Sequence, residues 1–380
     1  MQKRHRVFIA INLPEDIKRA LEKRQKSIQS MFADLGNGQF GEIMKWTGKD
    51  NLHITLEFLG DLTDVEIADV CKIAGEVAKR HRSFSINLNK ICYDSAASLA
   101  RRRMPLGMFN LIEGGRHVPP QRDPASGGTK NHPEIQEFMV VPEKETFTEN
   151  LVLCNKIFQN LQDILTKSYG PNVLMGDEGG FAPEISKTEQ ALFLLKNAIA
   201  GGDAKIAIDC AASEFYSNGK YNLDGRELSR SELFDFYADL ADRFPIISIE
   251  DPFAEEDWNG FEFIARQLGQ KVLIIGDDLT TTNIKRIKEA RNKLACNGVI
   301  LKLNQIGTVS ETIEASKLAK SFGWKTIVSH RSGETMDDFI ADLAVGTEAD
   351  FIKSGSPAKL ERMVKYKRLL DIENELQKIK

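Results

Sequence analysis

Six short runs decide how this sequence folds: Lys205-Ile-Ala-Ile-Asp209, Ile246-Ile-Ser-Ile-Glu250, Val272-Leu-Ile-Ile-Gly-Asp277, Val299-Ile-Leu-Lys302, Lys325-Thr-Ile-Val-Ser-His330 and Phe351-Ile-Lys353. Each is a β-branched apolar stretch of strand length that ends on an ionisable residue. The intervals between those endings are 41, 27, 25, 28 and 23 residues, and the last four suit one strand, one helix and two loops. Amphipathic segments fall between the runs, at Ser231–Phe244, Ile284–Leu294 and Glu311–Phe322. Strands alternating with helices argue for parallel βα units. In a (β/α)8 barrel the C-terminal strand ends converge on one mouth, where active sites sit, so the six endings are expected to meet. A single charged ending is what any strand reaching the surface gives. Six in one register are not.

Their order carries chemistry. Asp209, Glu250 and Asp277 come first, followed by Lys302, His330 with Arg331, and Lys353. Three carboxylates make a hard oxygen site for an octahedral cation, for which Mg²⁺ is the usual candidate. Two lysines and an arginine opposite such a cation would hold an anion, a phosphate or a carboxylate. A lysine crowded by other cations and Mg²⁺ has its neutral form favoured, so Lys302 is expected to serve as a base. Metal and base together are the chemistry of proton abstraction beside a carboxylate. The turn Gly176-Asp177-Glu178-Gly179-Gly180 and the pair Gln136-Glu137 add carboxylates suited to a general acid.

Around this core, the 380 residues carry 51 Lys+Arg against 55 Asp+Glu, a formal charge of −4, with 42% hydrophobic and 28% charged residues. That composition excludes disorder, collagen and coiled coil for the bulk, and the length suits two domains, or one small module beside a barrel. There is no basic block to bind nucleic acid and no apolar run long enough to span a membrane. The five cysteines, Cys71, Cys92, Cys154, Cys210 and Cys296, are widely spaced and form no Cys-x-x-Cys pair, which fits a reducing cytoplasm. Cys210 reads as a small core residue, and Glu255-Glu256-Asp257 as a solvated loop.

Residues before about 95 read as strand (Arg6–Leu13), helix (Pro14–Leu35), strand (Leu52–Leu59, ended by Gly60), helix (Asp64–Arg80) and strand (Phe84–Tyr93), a small βαβαβ module. The expected organisation is a module at 1–94, a linker at 95–104 and a barrel domain at 105–380.

Residues from about 104 onward resemble the enolase (phosphopyruvate hydratase) family. The resemblance lies in Gly176–Pro183 (GDEGGFAP), Asp209–Tyr216 (DCAASEFY), Ser248–Trp258 (SIEDPFAEEDW), Gly276–Asn283 (GDDLTTTN), Leu301–Gly307 (LKLNQIG), Ser329–Asp338 (SHRSGETMDD) and Ile352–Arg362 (IKSGSPAKLER). It implies an enolase-type barrel opened by an antiparallel hairpin and two helices, which suits Leu106–Ile112, Ile135–Val141 and the helical stretch Phe147–Lys167. It implies Mg²⁺ on Asp209, Glu250 and Asp277, Lys302 removing the C2 proton of 2-phosphoglycerate, and Glu178 protonating the leaving 3-hydroxyl with Glu137 assisting. Arg331 and Ser332 would bind the phosphate, Lys353 and Gln136 would contact substrate, and His117 and His330 would line the site. Homo-oligomers are implied as well.

The sequence departs from the family in three places. Glu113 stands where members usually have Asn, before Gly114-Gly115. The segment between His117 and Gln136 is longer than usual and carries Pro119-Pro120 and Ser126-Gly127-Gly128. The family's preceding α+β domain, with its mobile loop, has no recognisable copy here, so turnover is expected to be impaired.

The first module has its own resemblance. Arg6–Leu13 (RVFIAINL), Lys45-Trp46 and Leu52–Gly60 (LHITLEFLG) are similar to the first half of the 2H phosphoesterases, the RNA 2′,3′-cyclic phosphodiesterase family. That family uses two His-x-Thr motifs as acid and base. Here only His53-Ile54-Thr55 fits the pattern; His5, His81, His117, His132 and His330 lack a Thr two positions on. Three functions therefore stand side by side: an enolase-type lyase, a non-catalytic fusion, and an RNA-end phosphoesterase disfavoured by the missing second motif.

Overall fold

The computed structural model describes residues 103–118 and 132–379 without a break, strands at 4–12 and 53–63, and helical positions at 15–16, 18–19, 22–23, 67 and 70–72. The chain divides into two compact units, Met1–Asn89 and Lys90–Lys380.

In the first unit β1 (Arg4–Asn12) runs antiparallel to β2 (His53–Thr63). Val7 stands opposite Gly60 and Phe8 opposite Phe58, so Leu59 is an extra residue on β2. Gly60 therefore does not end the strand as its turn propensity suggests. It sits beside a bulge, the other place where a strand accepts glycine. The described helical positions 15–16, 18–19 and 22–23 fall within the expected Pro14–Leu35 helix, and 67 and 70–72 within the second. The remainder of those helices, the strand at 84–93, Lys45-Trp46, the linker as far as 102 and the segment 119–131 lie outside the described residues.

The second unit is an eight-stranded closed barrel, as the strand arithmetic anticipates. Its strands are β3 (Leu106–Glu113), β4 (Glu137–Pro142), β7 (Ala204–Asp209), β11 (Ile246–Glu250), β12 (Leu273–Gly276), β13 (Gly298–Leu301), β14 (Lys325–Ser329) and β15 (Phe351–Lys353), and pairing of β15 with β3 closes the ring. A short hairpin, β5 (Leu174–Met175) and β6 (Phe181–Ala182), attaches to β3, and a small sheet of β8 (Tyr216–Ser217), β9 (Lys220–Leu223) and β10 (Arg226–Leu228) follows β7. All barrel neighbours are parallel except those of β4, which runs against both β3 and β7. The antiparallel opening hairpin is followed by two helices, α1 (Phe147–Tyr169) and α2 (Thr188–Ile199), before the regular βα units begin.

Local sequence starts these helices where the sheet needs them. Thr146 accepts from the Glu149 amide while Glu149 reaches back to the Thr146 amide, and Ser229 with Glu232 does the same for the helix Arg230–Arg243. Such reciprocal caps satisfy amides that a helix start leaves open.

Period 2 sorts each barrel strand. Met108, Met139, Ala207, Ile275, Ile300, Ile327 and Phe351 form an apolar plug inside the ring. The alternate residues, such as Phe109, Val140, Ile208, Ile274, Val299, Val328 and Ile352, join the larger core under the helices. Ile300 is fully enclosed in the plug, so Ile300→Ala should destabilise the barrel by about 2–5 kcal/mol, measured by denaturant melting, with little change in the denaturant slope.

Candidate active site

Two positions beyond the plug, the same inward direction carries polar side chains at the mouth: Asn110, Glu137, Asp209, Asp277, Lys302, Ser329 and Lys353, joined by Glu250 in register with Asp209. The short strands thus translate strand-end chemistry into one layer.

Lys353 is the hub of that layer. Its Nζ lies 2.8 Å from Asp209 Oδ2, 3.0 Å from both Glu250 oxygens and 3.3 Å from Glu137 Oε2, and it is almost wholly buried. Burial lowers the pKa of an ammonium, but the charges of Asp209, Glu137 and Glu250 outweigh it and hold Lys353 well above the ordinary lysine range. Burial pushes the Glu250 carboxyl up, reinforced by Asp209 and opposed by Lys353.

Lys302 bonds Asp277 Oδ2, and Gln305 Nε2 donates to Asp277 Oδ1 at 3.0 Å. The pairing with Asp277 sets the charge state of Lys302. Burial does depress the Lys302 pKa, and Lys353 adds to that, but the Asp277 partner more than reverses both and raises it. Spacing along a sequence shows neighbouring strand ends but not which of two opposite charges will be in contact.

A second group of acids stands on the turn 176–180. Glu178 Oε2 accepts from Asn110 Nδ2 at 3.1 Å, and Glu178 Oε1 lies 3.1 Å from His330 Nε2 and 4.0 Å from His117 Nδ1. His117 Nδ1 is in turn 3.6 Å from Glu137 Oε1. His330 Nδ1 meets the Arg362 guanidinium, which can only donate. Nδ1 must therefore accept, and the proton sits on Nε2, directed at Glu178. Burial lowers the His330 pKa against the opposing pull of Glu178, with the Arg362 and Lys353 charges adding to the burial effect, so the neutral ring is favoured. Burial would raise Glu178, but His330, His117 and Lys353 hold it below the usual carboxylate range. Glu137 goes the other way: burial and the Glu178 charge raise it well above that range, against Lys353. Two carboxyls with pKa values driven apart identify an ionised member and a protonated one.

The third part is the loop after β14. Arg362, on the last helix (Leu360–Ile379), donates from Nη1 to the Arg331 carbonyl at 2.8 Å and from Nη2 to the Ser332 carbonyl at 2.7 Å. Arg331 and Ser332 are exposed at the rim, where Arg331 Nη1 donates to Asn304 Oδ1 at 2.6 Å.

The structure thus gathers Asp209, Glu250, Lys353 and Glu137 in one cluster, Asp277 with Lys302 in a pair, and Glu178 with His117 and His330 in another. Gln136 is half-buried, its amide donating to the Asp209 carbonyl. Cys210 is fully buried, as a core residue should be. Asp257 is not simply solvated: it caps the helix Trp258–Leu268 and pairs with Arg230 and Tyr221. Among the described residues, the groups close enough to share a cation are His117, Glu137 and Glu178, and Asp251, Asp277 and Asp278. Asp209, Glu250 and Asp277 are not so drawn together, because the two lysine ammoniums stand between and against them.

Asn110, Asp251 and Arg362 were not singled out from the sequence. Asn110 had a detectable signal, lying two residues beyond Met108 in the inward register of β3. Asp251 follows Glu250 directly and accepts the amides of Asp277 at 3.0 Å and Asp278 at 2.7 Å.

Residues 101–379 match the family model described as "Enolase, C-terminal TIM barrel domain". The chain belongs to that enolase barrel family. Residues 11–96 match a second model, "LigT like Phosphoesterase". Among curated proteins, the barrel is 45% identical over 279 residues to "Enolase" of Elusimicrobium minutum (strain Pei191), and 45% identical over 280 residues to "Enolase" of Sulfurisphaera tokodaii. Each match covers 72% of this chain, and 63% and 64% of the respective relative. The chain therefore spans less than two thirds of the length of these curated relatives.

The enolase mouth fits a divalent cation. Its five acids, Glu137, Glu178, Asp209, Glu250 and Asp277, face two lysines, and Asn110 Oδ1 is a buried acceptor with no hydrogen-bond donor among the described residues. Excess buried oxygen and negative charge is the donor chemistry that hard cations take. No helix among the described residues is long and apolar enough to cross a membrane.

Proposed function

We propose that the barrel dehydrates 2-phosphoglycerate to phosphoenolpyruvate with Mg²⁺ held by Asp209, Glu250 and Asp277. The observation that carries this reading is the geometry of the mouth: Lys302 against Asp277 on one side, and on the other Glu178 held between His330, His117 and Asn110. A bound Mg²⁺ would supply electrostatic stabilisation of the enediolate charge. Lys302 takes the C2 proton. Once Asp277 is engaged elsewhere, burial and the Lys353 charge, both of which lower the Lys302 pKa, lose their main opponent, and its neutral form becomes accessible.

Glu178, the ionised member of the pair, first takes the proton of the Glu137 carboxyl and then delivers it to the 3-hydroxyl, which leaves as water. His330 aims its N–H at Glu178, and the tautomer imposed by Arg362 keeps it there. Arg331 and Ser332, exposed on their rim loop, receive the phosphate, and Lys353 and Gln136 contact the substrate.

The direct test is phosphoenolpyruvate formation from 2-phosphoglycerate by the full chain, followed by absorbance. Turnover that requires Mg²⁺ and stops with chelator is the expected result. Folded protein without turnover at saturating Mg²⁺ would overturn the reading.

A further inference from the structure

At the mouth one acid outside the clusters described above, Glu113, is fully buried and doubly engaged. Glu113 ends β3, and its two carboxylate oxygens accept two backbone amides of the acid-bearing turn: Oε2 from Glu178 N at 3.1 Å, Oε1 from Gly180 N. The other amides of that turn are satisfied elsewhere. Gly176 N donates to the Gly180 carbonyl at 2.8 Å, Asp177 N to the His117 carbonyl at 3.0 Å and Gly179 N to the Gly176 carbonyl at 3.2 Å. From the outside, Lys359 Nζ donates to the Asp177 carbonyl at 2.9 Å and Ser356 N to the Glu178 carbonyl at 3.0 Å. Glu113 is thus the one side chain that holds the turn by its amides, at the residue that carries the acid.

The glycines of the turn are shaped to this carboxylate. A Cβ at Gly176 would overlap Glu113 Oε2, and one at Gly180 would come within 2.9 Å of Oε1. The carboxylate fills the space that side chains at these two positions would need, so turn and clamp are complementary in shape as well as in hydrogen bonding.

We propose that Glu113 is a positioning residue for the reaction proposed above: its two oxygens clamp the Glu178 and Gly180 amides and fix the Glu178 carboxylate against His330 and Asn110. An asparagine carries one acceptor oxygen where this clamp uses two. The groups facing the Glu113 carboxyl are consistent with a proton-sensitive contact. Burial first, then the Glu178 charge, push it up to about 8, opposed by the two amides and by Lys359.

The inference rests on the enolase reading for its catalytic consequence and not for the clamp itself, so the test has two arms. In the full chain, amide hydrogen exchange across 176–180 should accelerate by at least about 10-fold in Glu113→Ala, with a smaller gain in Glu113→Gln, which keeps one acceptor. Unchanged exchange in folded Glu113→Ala overturns the clamp whether or not the chain turns over substrate. In the second arm, kcat for 2-phosphoglycerate should fall by at least about 10-fold with KM little changed, and the pH profile of kcat should shift. Should Glu113→Ala not fold, Gly180→Ala pushes the carboxylate aside without removing it and should give the same exchange signature. Normal exchange and normal kcat in that variant count against the proposal. A wild-type chain with no turnover and a protected turn would sink the enolase reading and leave the clamp standing.

Discussion

Lys302→Ala should lower kcat for 2-phosphoglycerate dehydration by about 10²–10⁴-fold, the range a positioned general base contributes, and leave the fold intact. The fold survives because the side chain lies at the rim beyond the apolar plug, and because Asp277 keeps Gln305 as a donor at 3.0 Å when its lysine is gone. The informative companion measurement is exchange of the C2 proton with deuterated solvent, followed by NMR. If Lys302 is the base, the variant loses exchange and elimination together. Exchange persisting at the wild-type rate would move the base elsewhere, and normal turnover would remove Lys302 from the mechanism.

Lys353→Met should be the most damaging single change at the mouth for stability, by about 3–5 kcal/mol, because it leaves buried carboxylates without their shared counter-ion. Asp209, Glu250 and Glu137 would face one another across the space the ammonium occupied. The pH dependence follows from linkage. In the wild type the raised Lys353 pKa means that its stabilisation is fully present below the ordinary lysine pKa and is lost only as pH rises through the higher folded value. In the variant the carboxyls are pushed further up in the folded state, so above about pH 4 the folded chain holds protons that the unfolded chain has released, and stability falls as pH rises. Thermal melting at pH 5 and pH 8 should therefore show the larger deficit at pH 8. A deficit independent of pH would mean that the lysine acts by packing alone.

The barrel was legible because its strands are short and repeat one device: apolar residues in period 2, closed by an ionisable residue two steps past the plug. In that register Asp209 and Glu250 contact Lys353, and Asp277 pairs with Lys302. His330 does not share it. It lies one residue past Ser329 and takes its orientation from Arg362, 32 residues on in the sequence. Asn110 reaches across 68 residues to Glu178, and Glu113 across 65. No local pattern encodes contacts at such separations, and for that reason the clamp and the tautomer appear only in three dimensions. The pairing of Lys302 with Asp277 was hidden for a related reason, since charge order along the chain leaves partner choice open.

The reversed strand β4 has a consequence of a different kind. Where the seven parallel strands bring only their outgoing loops to the catalytic end, β4 delivers Glu137 from its incoming end, so the connection from β3, residues 114–136, starts and finishes at the mouth. Lengthening that connection lets a lineage experiment with what borders its substrate while the barrel floor and every βα crossover stay untouched.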